Sequence, residues 1–297
     1  MKFRRQMIKN EIGVSTHIVR GIDPETHFPL FAQYGFSLIE LNLGYFPILE
    51  NDRKFRKLQN ILAQNKIRVW SFHLPYGGTV PALGNMDISH PDADVRRNTI
   101  DAIRLSLDRL AALNACYLVL HPSVGAVEDD ERKERLAFCA ESLKACLKSL
   151  REAQSVNPNA VTLKIAIENL PKTGIGKESA ELIGLLESLN SPELGICMDV
   201  NHANLREDLI EATRRYGHRV VTAHISDNDG INEKHWLPGK GVIPWKKWLA
   251  TLIAIGYNGP LLYETSQPAN ESAEETIAQI SQNAHDFFLR IVDANRG

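Results

Sequence analysis

Eight short runs of apolar, largely β-branched residues recur along this chain. A longer stretch of helical period follows each one, and that alternation constrains the fold more than any other feature. The runs are Ile12–Thr16, Leu38–Leu43, Ile67–Leu74, Cys116–His121, Leu163–Leu170, Leu194–Val200, Val220–Ser226 and Pro260–Thr265. They are apolar on both faces rather than alternating, as strands of a parallel sheet covered by crossover helices should be. Between them, Ile100, Ile103, Leu107 and Leu110 share one helical face. So do Leu136, Ala140, Leu143, Leu147 and Leu150, and later Ile277, Ile280, Ala284, Phe287 and Ile291. Asp23-Pro24 reads as a helix cap followed by proline at the first helical position, and Asn157-Pro158 and Ser191-Pro192 read as turns before strands. Eight βα units in 297 residues predict an α/β fold of one closed (β/α)8 TIM barrel. No linker or composition break divides the chain, so one domain is expected over 1–297, with the barrel core from about 12 to 293. An open doubly wound sheet is the alternative.

Charge narrows the partners. Thirty-four Lys and Arg stand against 36 Asp and Glu, a net charge of -2. This balance argues against a protein whose main task is gripping nucleic acid or an anionic membrane. Arg96-Arg97 with Arg4, Arg5 and Lys9 reads as scattered solvated charge. No apolar run is long enough to span a membrane, and no secretory signal is evident at Met1–Asn10, so a cytoplasmic location is expected. Cys116, Cys139, Cys146 and Cys197 show no CxxC spacing and read as buried free thiols. A homo-oligomer is compatible with the sequence.

Chemistry in such a barrel sits at the C-terminal strand ends. Here those ends carry His73, His121, Glu168, Asp199, His224 and Glu264, each closing an apolar run: SFHLP, LVLHPS, IAIENL, ICMDVNH, TAHISD and LLYETS. Several carboxylates buried together need a cation to pair them, and a divalent metal supplies it. Glu168, Asp199, His224 and Glu264 form the expected ligand set, suited to Mn²⁺ or Zn²⁺ first, with Co²⁺, Mg²⁺ or Fe²⁺ compatible. If the turn after Asp199 is helical, His202 comes back toward it. The segment from Glu233 to Gly241 adds Glu233, His235 and Lys240 on a loop able to close over the pocket, Lys240 as an anion or hydroxyl contact. The two longest irregular stretches, Tyr76–Asp94 and Asn228–Pro244, have the length of lids or binding loops. Glu40 is expected either to steady a ligand or to touch substrate. Tyr45, Phe46, Trp70, Tyr76 and Trp236 could form a wall against a sugar ring, with core packing at least as good a reading for Trp70. Gly174-Ile175-Gly176-Lys177 lacks the first glycine and the Ser/Thr of a phosphate loop and is read as a helix opening.

At these residues the sequence resembles the xylose isomerase-like TIM barrels, specifically the sugar phosphate isomerase/epimerase group. The matching motifs are IEN, MDVNH, HISDNDG, H-x-x-PGKG-x-x-PW and YET, in order between Ile12 and Ser266. The resemblance implies a metal-dependent isomerase or epimerase of a small sugar or sugar phosphate, working through an enediolate. Glu168 and Glu264 would be both metal ligands and the two bases that epimerisation requires. His202 and Lys240 would orient substrate. The same superfamily includes endonuclease IV, whose trinuclear zinc site looks like a fuller version of this one. His73, His121, Glu168, Asp199, His202, His224, His235 and Glu264 each match a ligand position of that pattern, while its Asp-x-His pair is here Glu233-x-His235. Phosphodiester hydrolysis at abasic DNA is therefore an alternative, with the near-neutral charge against it. A lyase acting on an oxidised sugar or glycoside, and a sugar-binding protein with a relict site, are the others.

Overall fold

A computed structural model describes residues 10–156, 163–171 and 173–294, with side chains through 287. Asn157-Pro158, Arg4, Arg5 and Lys9, and the side chain of Ile291, therefore lie outside the described residues. The eight apolar runs form eight strands: β1 Ile12–Ser15, β2 Leu38–Leu41, β3 Arg68–His73, β4 Tyr117–Leu120, β5 Lys164–Glu168, β6 Leu194–Asp199, β7 Val220–Ile225 and β8 Leu261–Tyr263. Every neighbouring pair is parallel, and β8 pairs back onto β1, closing a TIM barrel rather than an open sheet.

The helices are α1 Pro24–Gln33, α2 Phe46–Leu49, α3 Asp52–Gln64, α4 Ala93–Ala112, α5 Arg132–Val156, α6 Ser179–Leu189, α7 Val200–Asn204, α8 Leu209–Tyr216, α9 Trp245–Ala254 and α10 Ala273–Ala294. The short α2 and α7 are additions to the eight crossover helices. Asp23 caps α1, its carboxylate accepting from the Thr26 amide, with Pro24 at the first position. The apolar faces read from period behave as expected: Ile103, Leu107 and Leu110 of α4, Leu143, Leu147 and Leu150 of α5, and Ile277 and Ile280 of α10 are all buried against the sheet. None of the described helices is long and apolar enough to cross a membrane.

Two β-bulges bear on the site. Register shifts between Ile39 and Glu40 against β3, and between Ile196 and Cys197 against β7. Such irregularities re-aim the residues that follow. Glu40 and Cys197 both end fully buried. Inside the barrel, below the strand ends, Val119, Ala166 and Cys197 form a layer of small side chains. Trp70 crosses lower down, its indole N–H donating to Thr222 Oγ1 at 3.1 Å.

The loops after β3 and β7 are largely irregular, as their composition suggested. The first holds one 3₁₀ turn, Pro81–Leu83, and the second is tied across itself where Asp227 and Trp236 pair. The four cysteines are free thiols, three of them buried.

Candidate metal centre

Each strand end contributes by the same logic: a residue within one position of the C-terminal end of a buried strand projects into the barrel mouth. Glu168, Asp199, His224 and Glu264, from β5 through the residue after β8, bring one ligand atom each to within 4.8 Å of one another. His224 Nδ1 lies 3.1 Å from Glu264 Oε2 and 3.7 Å from Glu168 Oε1. Asp199 Oδ2 and His224 Nδ1 are buried and have no hydrogen-bond partner. Unsatisfied buried acceptors in a cluster of carboxylates are costly, and a divalent cation satisfies them at once. The donor set of three carboxylates and one imidazole thus fits such an ion.

Two further groups flank this one. His73, His121 and Glu168 form the first, with His73 Nε2 3.0 Å and His121 Nε2 3.5 Å from Glu168 Oε2. His202, Glu233 and His235 form the second, with Glu233 Oε1 3.4 Å from His202 Nε2 and 3.0 Å from His235 Nε2. The helical turn after β6 is present as α7: Asp199 caps it by accepting from the His202 amide at 2.8 Å, which turns His202 back toward the cluster.

The electrostatics follow from crowding. Burial opposes ionisation of Glu168, but the surrounding histidines His224, His121 and His202 hold its carboxyl well below the usual range. Burial likewise opposes it at Glu264, and His224 overcomes that and keeps the carboxyl low. Asp199 differs: burial, helped by the charges of Glu168 and Glu264 and opposed by His202, lifts it to about 6. Burial disfavours charge on His73 and His235, yet Glu168 for the first and Glu233 for the second raise both to about 9. For His121 burial wins and its pKa falls. Without an ion, the carboxylates are balanced by protonated imidazoles.

Above the cluster is a cavity of about 160 Å³ lined by His17, Asn42, Leu43, Tyr76 and the histidines and carboxylates of both flanking groups. Tyr76 stacks on His121 with ring centroids 4.1 Å apart and is the one of the five aromatics that lines this cavity, while Trp236 lines the outer one. Tyr45 and Phe46 are buried in the core instead, and Trp70 lies at the other end of the barrel in a cavity beside Tyr117 and Tyr257. Lys240 is exposed and lines a separate, outer cavity rather than this one.

Several supporting residues were not singled out from sequence, although they lie inside the quoted motifs. Asn169 ties β5 to β6, donating to Asp199 O at 2.9 Å and accepting from Asp199 N at 2.8 Å. Its carbonyl lies 2.9 Å from His202 Nδ1. Asp227 organises the loop after β7, accepting from the amides of Gly239 and Ile243 and from the Trp245 indole. The glycine stretch before α6 spends its amides on the protein: Ile175 N donates to Ser123 Oγ and Gly176 N to Glu181. Cys197 packs against the centre, its Sγ 3.5 Å from His224 Nε2, with its pKa pushed well up by burial.

The fold and these strand ends have known counterparts. Residues 28–283 match the family model described as xylose isomerase-like TIM barrel, and the chain belongs to that family. It is similar to the uncharacterised protein y4fM of Sinorhizobium fredii, 29% identical over 69% of this chain and 63% of that protein. It is also similar to fructoselysine 3-epimerase of Escherichia coli O157:H7, 22% identical over 67% of this chain and 70% of the other. For the first two curated relatives the match spans only 63% and 62% of their length. Among solved structures, a D-tagatose 3-epimerase-like protein superimposes with a TM-score of 0.78 at 20% identity, covering 97% of this chain and all of that one. The IOLI protein with a binding zinc atom does so with a TM-score of 0.79 at 15% identity, covering 95% and 99%. At such identities the solved structures speak for the fold alone.

Proposed function

We propose that this chain is a divalent-metal-dependent epimerase of a small ketose or related sugar. The observation that carries the reading is the convergence of Glu168, Asp199, His224 and Glu264 within 4.8 Å, with Asp199 Oδ2 and His224 Nδ1 left without partners, at the floor of a cavity in the barrel mouth. The curated relatives include sugar 3-epimerases, which supports the same class. Glu168, Asp199, His224 and Glu264 would hold the ion. When bound it supplies Lewis acidity, stabilising negative charge on the sugar oxygens as the neighbouring C–H bond is ionised.

The rest is the work of the chain's own groups. Glu168 and Glu264 both line the cavity, so each presents a carboxylate oxygen that can accept a proton there. They come from β5 and the end of β8, which are not neighbours in the barrel. One carboxylate removes the proton from the carbon next to the carbonyl, and the other returns a proton to its opposite face. Tyr76 and His17 border the cavity and limit water around the sugar. Glu168→Gln and Glu264→Gln in metal-loaded protein should each cut epimerisation by about 10²–10⁴-fold while the fold persists. Near wild-type turnover in either would remove the proposed role.

The flanking groups around His73 and His202 favour a second reading, hydrolysis of a phosphodiester at abasic DNA with more than one ion. A nicking assay on abasic duplex with zinc and with manganese separates the two. Nicking without deuterium exchange into a ketose would replace the epimerase reading.

A further inference from the structure

A second and larger cavity adjoins the catalytic one. It encloses about 550 Å³ between the loop after β7 and the segment from β8 into α10, with Trp236, Leu237, Lys240, Thr265, Pro268 and Ile280 among its walls. The two cavities meet at His235, which lines both. Thr265 directly follows Glu264, so the outer cavity begins one residue from a proposed base. Small-molecule sites commonly span roughly 300–1,000 Å³, and the inner cavity alone falls short of that.

The outer walls are built for a ligand. Trp236 is 40% exposed and lines the cavity, on a backbone pinned by paired hydrogen bonds with Asp227 at 2.7 and 2.9 Å. Thr265 is only 2% exposed and its hydroxyl has no hydrogen-bond partner. A buried hydroxyl left unpaired is a place where a ligand gains a hydrogen bond. The Lys240 ammonium, also at this wall, has no ion-pair partner among the described residues.

The lining as a whole narrows the kind of ligand. Barrels often bind phosphate with the loops after strands seven and eight and a nearby helix N-terminus. Here the start of α10 is already occupied: Ser272 N and Oγ donate to Glu275 Oε2 at 2.7 and 2.8 Å, and Glu275 N donates back to Ser272 Oγ at 3.2 Å. Glu271 lines the cavity and Glu274 lies in the same turn, so a phosphate at the α10 end would meet carboxylates. Lys234, His235 and Lys240 line the wall formed by the loop after β7, so the cavity carries both signs of charge, and most of its wall surface is apolar.

We propose that this cavity is a subsite for a neutral second unit of the substrate. The preferred substrate is then a ketose carrying a further uncharged sugar ring or comparable group, rather than a free or phosphorylated ketose. This rests on the epimerase reading for what happens in the inner cavity. The Trp236 indole covers the apolar face of the second ring. The Thr265 hydroxyl and Lys240 ammonium bond its hydroxyl groups.

The test offers metal-loaded protein three probes in D₂O: a ketohexose, the same ketohexose bearing a glucosyl group on its terminal hydroxyl, and its terminal phosphate. Deuterium uptake beside the carbonyl gives kcat/KM, and titration calorimetry gives binding. The glucosyl ketose should be preferred over both others by at least ~10-fold, and Trp236→Ala and Thr265→Val should each shrink that preference through KM. Preference for the free or phosphorylated ketose, or a preference intact in both variants, overturns the subsite. If no probe exchanges deuterium, the epimerase reading fails separately. Calorimetry then decides: glucosyl ketose bound by wild type and lost in Trp236→Ala upholds the subsite, and no binding overturns it.

Discussion

His224 Nε2 lies 3.1 Å from Glu40 Oε2, so the imidazole that turns Nδ1 toward Glu168 and Glu264 is held from behind by a buried carboxylate. Ser71 Oγ donates to the same Glu40 oxygen at 2.7 Å, fixing it in turn. A carboxylate that accepts the Nε2 proton leaves Nδ1 with its lone pair free, which is the tautomer a metal ligand needs. Glu40→Gln is therefore expected to weaken divalent-ion binding by about 10–100-fold. Competition against a chromophoric chelator measures this, with a far-ultraviolet spectrum to confirm the barrel. Unchanged affinity would reduce Glu40 to a packing role.

The pairing of imidazolium with carboxylate in the ion-free centre has a pH signature. His73 and His235 are raised to about 9 by Glu168 and Glu233 against the cost of burial. Their unfolded value is about 6.5. A raised imidazole contributes stability fully below the unfolded pKa, and that contribution is lost as pH climbs through the folded one. An ion held by Glu168, Asp199, His224 and Glu264 takes over the carboxylate charge that holds protons on His73 and His235, and His224 must be neutral to ligate, so its stabilisation grows over the same interval. The difference in Tm between metal-loaded and ion-free protein should widen from pH 6.5 to 9. Adding the ion near pH 7.5 should release protons, detectable with an indicator in weak buffer. A constant gap without proton release would contradict this account of the centre.

The barrel was legible because its signal is one of period. Eight doubly covered strands and amphipathic crossover helices leave a pattern that survives without any knowledge of contacts. The carboxylates and histidines were legible for a related reason: each closes an apolar run, and the barrel directs such residues to one mouth. What could not be read was geometry across loops. Lys240 reads as an anion or hydroxyl contact from its place after the Trp-Leu-Pro hinge, but that it faces the outer cavity rather than the inner one depends on how the loop folds. Tyr45 and Phe46 looked like wall residues, but the short helix after β2 rotates them into the core. Asp227 gave no sign of its role, since its partners Gly239, Ile243 and Trp245 become neighbours only after the loop folds back.

That loop sets a further expectation. A methyl group at Gly241 would collide with the Asn228 carbonyl and the Asp227 carboxylate, both of which hold the turn. The obstacle is backbone, which cannot swing aside as a side chain does. Gly241→Ala should destabilise the protein by about 1–3 kcal/mol. It should also displace the loop that presents Glu233 and His235. Limited proteolysis should show faster cleavage between residues 229 and 244, with a lower Tm. Wild-type protease resistance would show that the clamp tolerates the methyl group.

The loops after β3 and β4 are joined by a different device, a buried ion pair. Arg135 Nη2 lies 2.7 Å from Asp87 Oδ2, with side chains 8% and 2% exposed. Arg135 Nε also donates to Ser89 O at 2.6 Å, while Asp87 Oδ2 accepts from Val124 N at 3.2 Å. The pair thus anchors the two loops that follow His73 and His121. Removing one partner strands a charge in a dry setting, so Arg135→Met should cost about 3–5 kcal/mol. Arg97 and Asp94 form a pair on the surface, with side chains 63% and 78% exposed, and Arg97→Met there should cost under about 1 kcal/mol. Chemical denaturation of both variants provides the comparison. Equal costs would mean that water reaches Asp87 and that the buried pair is not what holds these loops to α5.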